Sequence, residues 1–215
     1  MDTQVGAPQE ITPQEAMDRT RHDIHTMSEG DVYKLLSCAV QPRPIAWIST
    51  VSAAGVNNLA PFSFFNVASR NPATLMISIG ERIGFPGEPK DTLVNIRETG
   101  NFVVNIPSAE TVEAVTSSFA TVHADVDEFE LSGMTPVTSH SVAAPSVLQS
   151  LVSLECELLQ EVKLGTDTLV LGSVLSVTSR AGLLSEDLHV DTREHHFLGR
   201  LAGPFYTTAM NRVAQ

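Results

Sequence analysis

Pro42-Arg43-Pro44-Ile45-Ala46-Trp47-Ile48-Ser49-Thr50-Val51-Ser52-Ala53-Ala54-Gly55-Val56-Asn57-Asn58-Leu59-Ala60-Pro61-Phe62-Ser63-Phe64-Phe65-Asn66 is the stretch around which the chain is organised. Residues 45–51 are β-branched and aromatic and predict a strand. Residues 52–55 predict a turn, with Gly55 free to take a backbone angle that other residues avoid. Residues 56–60 return as a second strand, which Pro61 is expected to stop because proline has no N–H to give the ladder. Ser49 and Thr50 lie on one arm, and Asn57, Asn58 and Ser63 on or just after the other. Hydroxyls and amides mixed with apolar side chains suit a surface that packs a flat apolar ligand and hydrogen-bonds its polar tail. The same pattern also fits a plain edge hairpin of a β-barrel with ordinary surface serines.

Working outward, Ser28 is a cap for a helix over about 30–37, with Asp31 near the positive end of its dipole and Val32, Leu35 and Leu36 inward. Residues 67–70 read as a loop. Residues 74–79 are nearly continuous in apolar character, the pattern of a strand buried on both sides. Residues 80–90 form a loop. A helix over 91–99 follows, with Asp91 as cap candidate and Gly100 as its stop. Residues 102–106 are a strand, 108–120 a second helix, and 122–138 a surface loop with one helical turn near 128–131. Residues 148–163 alternate as a long strand. After a turn at 165–167 the chain returns over 168–178, with a bulge expected at Gly172. The sum is mainly β: about six strands and two or three short helices, without internal repeats or a domain linker. A closed or partly closed antiparallel barrel is the economical architecture. Residues 1–27 form a polar N-terminal arm, with a short helix compatible with 11–20, and 28–215 are read as a single domain.

The chain has 215 residues, enough for one barrel with a substantial core, and its 42% hydrophobic and 18% charged content is that of a globular protein. Net charge is −12 with the 13 Lys and Arg scattered, which disfavours nucleic acid. No apolar run approaches membrane-spanning length, and the N-terminus lacks signal-peptide features, so no membrane partner is expected and the cytoplasm is the default location. Cys38 and Cys156 sit among apolar neighbours and read as buried free thiols. There is no G-x-G-x-x-G, which argues against a Rossmann site.

The runs Arg43 to Thr50 and Asn58 to Asn66 resemble the flavin reductase-like family. So do Asn71-Pro72-Ala73-Thr74-Leu75-Met76, Lys90-Asp91-Thr92-Leu93-Val94-Asn95-Ile96 with Gly100-Asn101-Phe102-Val103-Val104-Asn105, Asp127-Glu128-Phe129-Glu130, Leu154-Glu155-Cys156 and Arg200-Leu201-Ala202-Gly203-Pro204-Phe205-Tyr206. These blocks occur in the family's order over about 32–206. The resemblance implies a six-stranded antiparallel, Greek-key split barrel with flanking short helices that binds FMN. It also implies a homodimer, hydride transfer from NADH or NADPH to flavin, and an oxygenase partner using the reduced flavin. The rival expectation is an FMN-binding electron-transfer or carrier protein without NAD(P)H turnover. A weaker one keeps the barrel around haem, with His189 or His195 as axial ligand.

A flavin needs an apolar seat for its ring, hydroxyl or amide partners for its ribityl chain, and a cation for its phosphate. Ser49, Thr50 and Ser63 offer hydroxyls. Lys90 with Thr92 offers a cation at a helix N-terminus, and Arg97 is a second cation candidate. For both cations a solvated helix charge is the alternative. By resemblance, the backbone of Asn58, Leu59, Ala60, Pro61 and Phe62 lines the ring, with Trp47 and Ile48 on the preceding arm. His196, Arg200 and Tyr206 are candidates to meet the second substrate. His189, His195 and His196, with Asp191 and Glu194, are suitable metal-ligand types, but adjacent histidines on a strand point to opposite faces and no metal is expected. His123 and His140 read as loop residues. Hydride transfer between two rings requires no side-chain acid or base, so no catalytic residue is named.

Overall fold

The computed structural model describes residues 19–190 and 194–208. Most of the N-terminal arm, with its helix at 11–20, therefore lies outside the described residues, as does Asp191. The strands are, in chain order, β1 Arg43–Pro44, β2 Ala46–Val51, β3 Asn57–Phe62, β4 Phe65–Arg70, β5 Ala73–Gly80, β6 Asn101–Ile106, β7 Pro136–Val137, β8 Ser146–Val147, β9 Val152–Leu164, β10 Asp167–Ser179, β11 Gly199–Arg200 and β12 Tyr206–Thr207. The α-helices are α1 Glu29–Ala39, α2 Asp91–Thr99, α3 Val112–Ser117 and α4 Glu128–Ser132.

Seven strands form one antiparallel sheet in the order β3-β2-β6-β9-β10-β5-β4. Its two outermost strands are consecutive in the chain, joined only by Ser63 and Phe64. A flat sheet would hold them about 29 Å apart at about 4.8 Å per strand. Three Cα steps reach at most about 11 Å. The sheet must therefore roll until its edges approach, and the apolar side chains inside become a barrel core.

Period-2 alternation divides that core. Ala46 and Ile48 of β2 point inward with Phe62, Ile77, Phe102, Val104 and Val170, and Leu93 and Ile96 of α2 pack on the same cluster. Ile45 and Trp47 point the other way, into a second cluster with Leu59, Val115, Phe129 and Leu198 that α3 and α4 cover. β2 is thus buried on both faces, its Ser49 and Thr50 included.

The sequence expectations hold in outline, with several corrections. Residues 65–70 form β4 and not a loop; its polar spelling is that of a terminal strand, largely exposed. This raises the main sheet to seven strands. Pro61 does not end β3, because β3 is an edge strand and the missing N–H costs nothing on its outer side; Pro61 stands opposite Trp47. The helix expected over 108–120 is a 3-10 turn, Ala109–Thr111, followed by the short α3. Lys90, not Asp91, is the N-cap of α2. Ser28 caps α1 as expected, accepting from Asp31 N at 3.2 Å, but Leu36 and Cys38 are exposed. The register shift expected at Gly172 is present, between Leu171 and Gly172. There a Cβ would collide with Phe102 Cζ and stand 3.2 Å from Cys156 Cβ, so only glycine lets the strands pass.

Candidate functional site

Two clefts meet at Pro61 and Phe119, which line both. The larger encloses about 240 Å³ and is walled by Ile45, Phe62 and Val115, with Tyr33 of α1 and Arg200, Pro204 and Tyr206 from the far end of the chain. Pairing of β1 with β11, and of β11 with β12, brings that C-terminal segment to the hairpin: Arg43 stands opposite Arg200, and Arg200 opposite Tyr206. The Arg200 guanidinium lies 4.6 Å from the Tyr206 ring centroid and donates to Gly203 O at 2.6 Å. Ser63 lines the cleft, and its hydroxyl accepts from Arg43 Nε at 3.2 Å. Buried Arg43 also donates to Ser37 O (2.5 Å), Val40 O (3.0 Å) and Leu201 O (3.3 Å), fastening α1 and the C-terminal segment to the rim.

The smaller cleft is a charged recess lined by Arg82, Lys90, Asp91, Thr92, Asn58 and Glu128. Lys90 caps α2 without a side-chain cap bond, so the first N–H groups of that helix have no side-chain partner from the cap residue. Its ammonium sits 5.6 Å from the Phe62 ring centroid and 5.3 Å from that of Phe119. Burial lowers the Lys90 pKa, nearby Arg82 lowers it further, and Asp91 opposes both. Arg82 pairs with Asp91 and donates to Val122 O at 3.2 Å. A partly desolvated ammonium, the Arg82 guanidinium and a helix N-terminus are the groups this recess offers to an anion.

Beneath the recess runs a buried polar chain. Asn58 Oδ1 accepts from Thr92 Oγ1 (2.9 Å) and Thr50 Oγ1 (3.3 Å), and Asn95 Nδ2 donates to Thr50 Oγ1 at 2.9 Å. Asn58 Nδ2 donates to Glu128 Oε1 at 2.8 Å, while Asn57 Nδ2 donates to Asp127 Oδ2 at 3.0 Å. The two asparagines of β3 thereby seat α4.

The structure therefore sorts the sequence candidates. Ala60, Pro61, Phe62, Ser63, Asn58, Lys90, Thr92, Arg200 and Tyr206 line the joined clefts. Trp47, Ile48, Ser49, Thr50 and Leu59 do not: all five are wholly buried. Trp47 Nε1 donates to Ser118 Oγ at 2.9 Å, and Ser49 Oγ donates to Pro145 O and accepts from Asn105 Nδ2, so these polar groups serve the core. A strand covered on both faces has no side chain to spare for a ligand. Arg97 makes three bonds of 2.9–3.1 Å to Glu161 and lines neither cleft. His196 is exposed and outside both clefts; its main-chain oxygen accepts from Ala109 N. Among the described residues no three metal-ligating side chains cluster. Cys156 is buried, and burial followed by Glu155 pushes its thiol up to about 12, so it is not a nucleophile.

Sequence reading missed Arg82, Glu128, Tyr33 and Phe119. Tyr33, Phe119 and Glu128 reach the site through long-range packing, whereas Arg82 stands in the loop just ahead of Lys90. The one available signal was an isolated arginine in a Gly- and Pro-rich loop just before the Lys90 helix.

Residues 39–198 match the family described as "Flavin reductase like domain". A protein of Aquifex aeolicus is 39% identical over 183 residues, covering 85% of this chain and 92% of its own. The crystal structure of nitrilotriacetate monooxygenase component B from Bacillus cereus is similar with a TM-score of 0.87 and 29% identity, over 92% of this chain and 98% of that one. A structure from Shewanella frigidimarina described as having a split barrel domain superposes with a TM-score of 0.78 at 20% identity, over 97% and 98% of the two chains, and shows the shared fold.

Proposed function

The chain belongs to the flavin reductase-like family, and from that premise we propose that it binds FMN and catalyses hydride transfer from NADH or NADPH to flavin. The observation that carries this reading is that an apolar cleft adjoins a recess holding Lys90 and Arg82 at a helix N-terminus, with Pro61 and Phe119 lining both. The donor set fits a flavin mononucleotide: a flat apolar end needs the first cleft, and a phosphate monoester needs the second.

In this reading Lys90 and Arg82 hold the phosphate, with Thr92 and the N-terminus of α2 as further donors. Phe62, Pro61 and Ile45 seat the ring. β3 is the last strand of its sheet, and its outer row offers the ring edge carbonyl acceptors, since Leu59 N is engaged by Glu128 and Pro61 has no N–H. The flavin, when bound, supplies the hydride-accepting chemistry. The protein contributes orientation, water exclusion by Tyr33, Val115 and Phe119, and positive charge that favours an electron-rich ring. Arg200, stacked on Tyr206 at the mouth, receives the pyridine nucleotide. Tyr33 and Leu36 of α1, Val40 just after it and Val67 of β4 are exposed apolar groups. They form the contact of a homodimer, and an oxygenase that consumes reduced flavin is the partner this activity serves.

Anaerobic mixing tests the reading. FMN-loaded protein should lose its yellow colour on addition of NADH or NADPH. Tight FMN binding with the colour unchanged by either nucleotide would make the protein a carrier and overturn the reductase assignment.

A further inference from the structure

The recess that Lys90 and Arg82 make basic also contains two carboxyls. Asp91 is paired with Arg82. Glu128 is 5% exposed, and among the described residues its partners are neutral: Oε1 accepts from Asn58 Nδ2 at 2.8 Å and Oε2 from Leu59 N at 3.4 Å. It lines the recess on the side facing Asn58 and Thr92. An anion-binding recess with a buried carboxyl in its wall is electrostatically self-opposed unless that carboxyl is neutral.

We propose that Glu128 is a selectivity residue of the recess, which admits a phosphate monoester with the Glu128 carboxyl protonated, so that phosphate binding takes up one proton. The inference rests on the proposed flavin site and states how its phosphate end is chosen. With Glu128 ionised, Lys90 and Arg82 are balanced by Asp91 and Glu128, and no net charge remains to meet a phosphate dianion. With Glu128 protonated, one positive charge is left, and the carboxyl becomes a donor where it had been an acceptor only. Burial already pushes Glu128 up to about 7, and Asp91 pushes in the same direction. The hydrogen bonds from Leu59 N and Asn58 only partly oppose this.

The neighbouring elements add little to this balance. β3 contributes no ionisable side chain. Asp127 on the same helix start is engaged with Asn57 and with Phe129 N, and Glu130 points outward. Glu113 of α3 is exposed, as is the His123–Asp125 pair of the preceding loop. Lys90, Asp91 and Arg82 are therefore the charges that face Glu128 across the recess. Of these, Lys90 would give a slope of the same sign if it lost its proton, so the test must separate the two.

The test measures FMN and riboflavin affinity by flavin-fluorescence quenching from about pH 7 to about pH 8.5, where the FMN phosphate is already a dianion (its second ionisation lies near about 6). Riboflavin shares the ring and lacks the phosphate, so the ratio of the two affinities isolates the recess. The expected ratio falls by about tenfold across this range in the wild-type protein, because binding then requires a proton from solution. Glu128→Gln should flatten the ratio, and Lys90→Arg, which keeps a charge that does not titrate in this range, should retain the slope. A flat wild-type ratio, a slope that survives Glu128→Gln, or a slope lost in Lys90→Arg overturns the inference while leaving the flavin site standing. If Glu128→Gln does not fold, the Lys90→Arg ratio still decides, together with calorimetry of FMN binding to the wild-type protein in two buffers of different ionisation heat. At about pH 8.5 an uptake approaching one proton is expected, and uptake of none there overturns the inference. Failure to bind either flavin at any pH would overturn the inference and the site together.

Discussion

Lys90 and Arg97 lie seven positions apart in one helical segment, and from sequence both were candidates for the same phosphate. Tertiary packing separates them. Lys90 sits between two aromatic rings in a recess, partly stripped of water, whereas Arg97 spends its guanidinium on Glu161. Lys90→Met should weaken FMN binding by about 10- to 100-fold, the value of one or two charge-assisted hydrogen bonds, and leave riboflavin binding unchanged. Arg97→Ala should change neither affinity, and should alter stability by no more than about 1 kcal/mol because the pair is half exposed. Fluorescence titration with the two flavins, with a denaturant melt of each variant, checks both statements. The hydroxyls of Ser49 and Thr50 teach the same lesson in reverse. Their chemistry was right for a ligand, but a strand buried on both faces turns it inward, and no local pattern announces the second covering layer.

At the scale of elements, the hairpin of β2 and β3 was legible because its signals are local: β-branched runs, a turn with Gly55 at φ +83°, and an amide-rich return. β4 was not, because an exposed edge strand spells like a loop. The helix after β6 was overextended, since Ser108 and the acidic first turn look like a cap while the chain actually begins with a 3-10 turn. The β9–β10 ribbon was read with its irregularity in place, because a glycine inside an alternating strand marks a close approach. That approach is specific here: the space a Cβ would need at Gly172 is filled by the Phe102 ring. Gly172→Ala should destabilise the protein by about 1–3 kcal/mol through forced repacking of Phe102, measured as a lower denaturant midpoint with an unchanged slope. An unchanged midpoint would mean that the strands can part at that point without cost.

At the scale of the whole molecule, packing of α4 against the sheet buries Glu128, a carboxyl whose ionisation opposes the fold. Glu128 has a raised pKa, about 7, in the folded chain. Its favourable contribution is complete below the ordinary carboxyl range and is lost as pH rises through about 7. Wild-type stability should therefore fall between about pH 5 and pH 8 by up to about 3 kcal/mol more than that of Glu128→Gln. Thermal melts of the two proteins across that range check the sign as well as the size, and parallel curves would show that the carboxyl is not perturbed. In the sequence this carboxyl stood only within a run that resembles the family's pattern. Its burial against Asn58 depends on contacts some seventy positions apart, which no window of sequence displays.

The joining of the two clefts is likewise a property of the complete fold, built from β3, the start of α2, the segment after α3 and the C-terminal strands. A crystal structure with FMN bound tests it most directly. The ring should lie against Pro61 and Phe62 with Tyr206 at the mouth, and the phosphate should touch Lys90 and Arg82. Flavin seated beside Arg97, or with its phosphate in solvent and the Lys90 recess bypassed, would contradict the account.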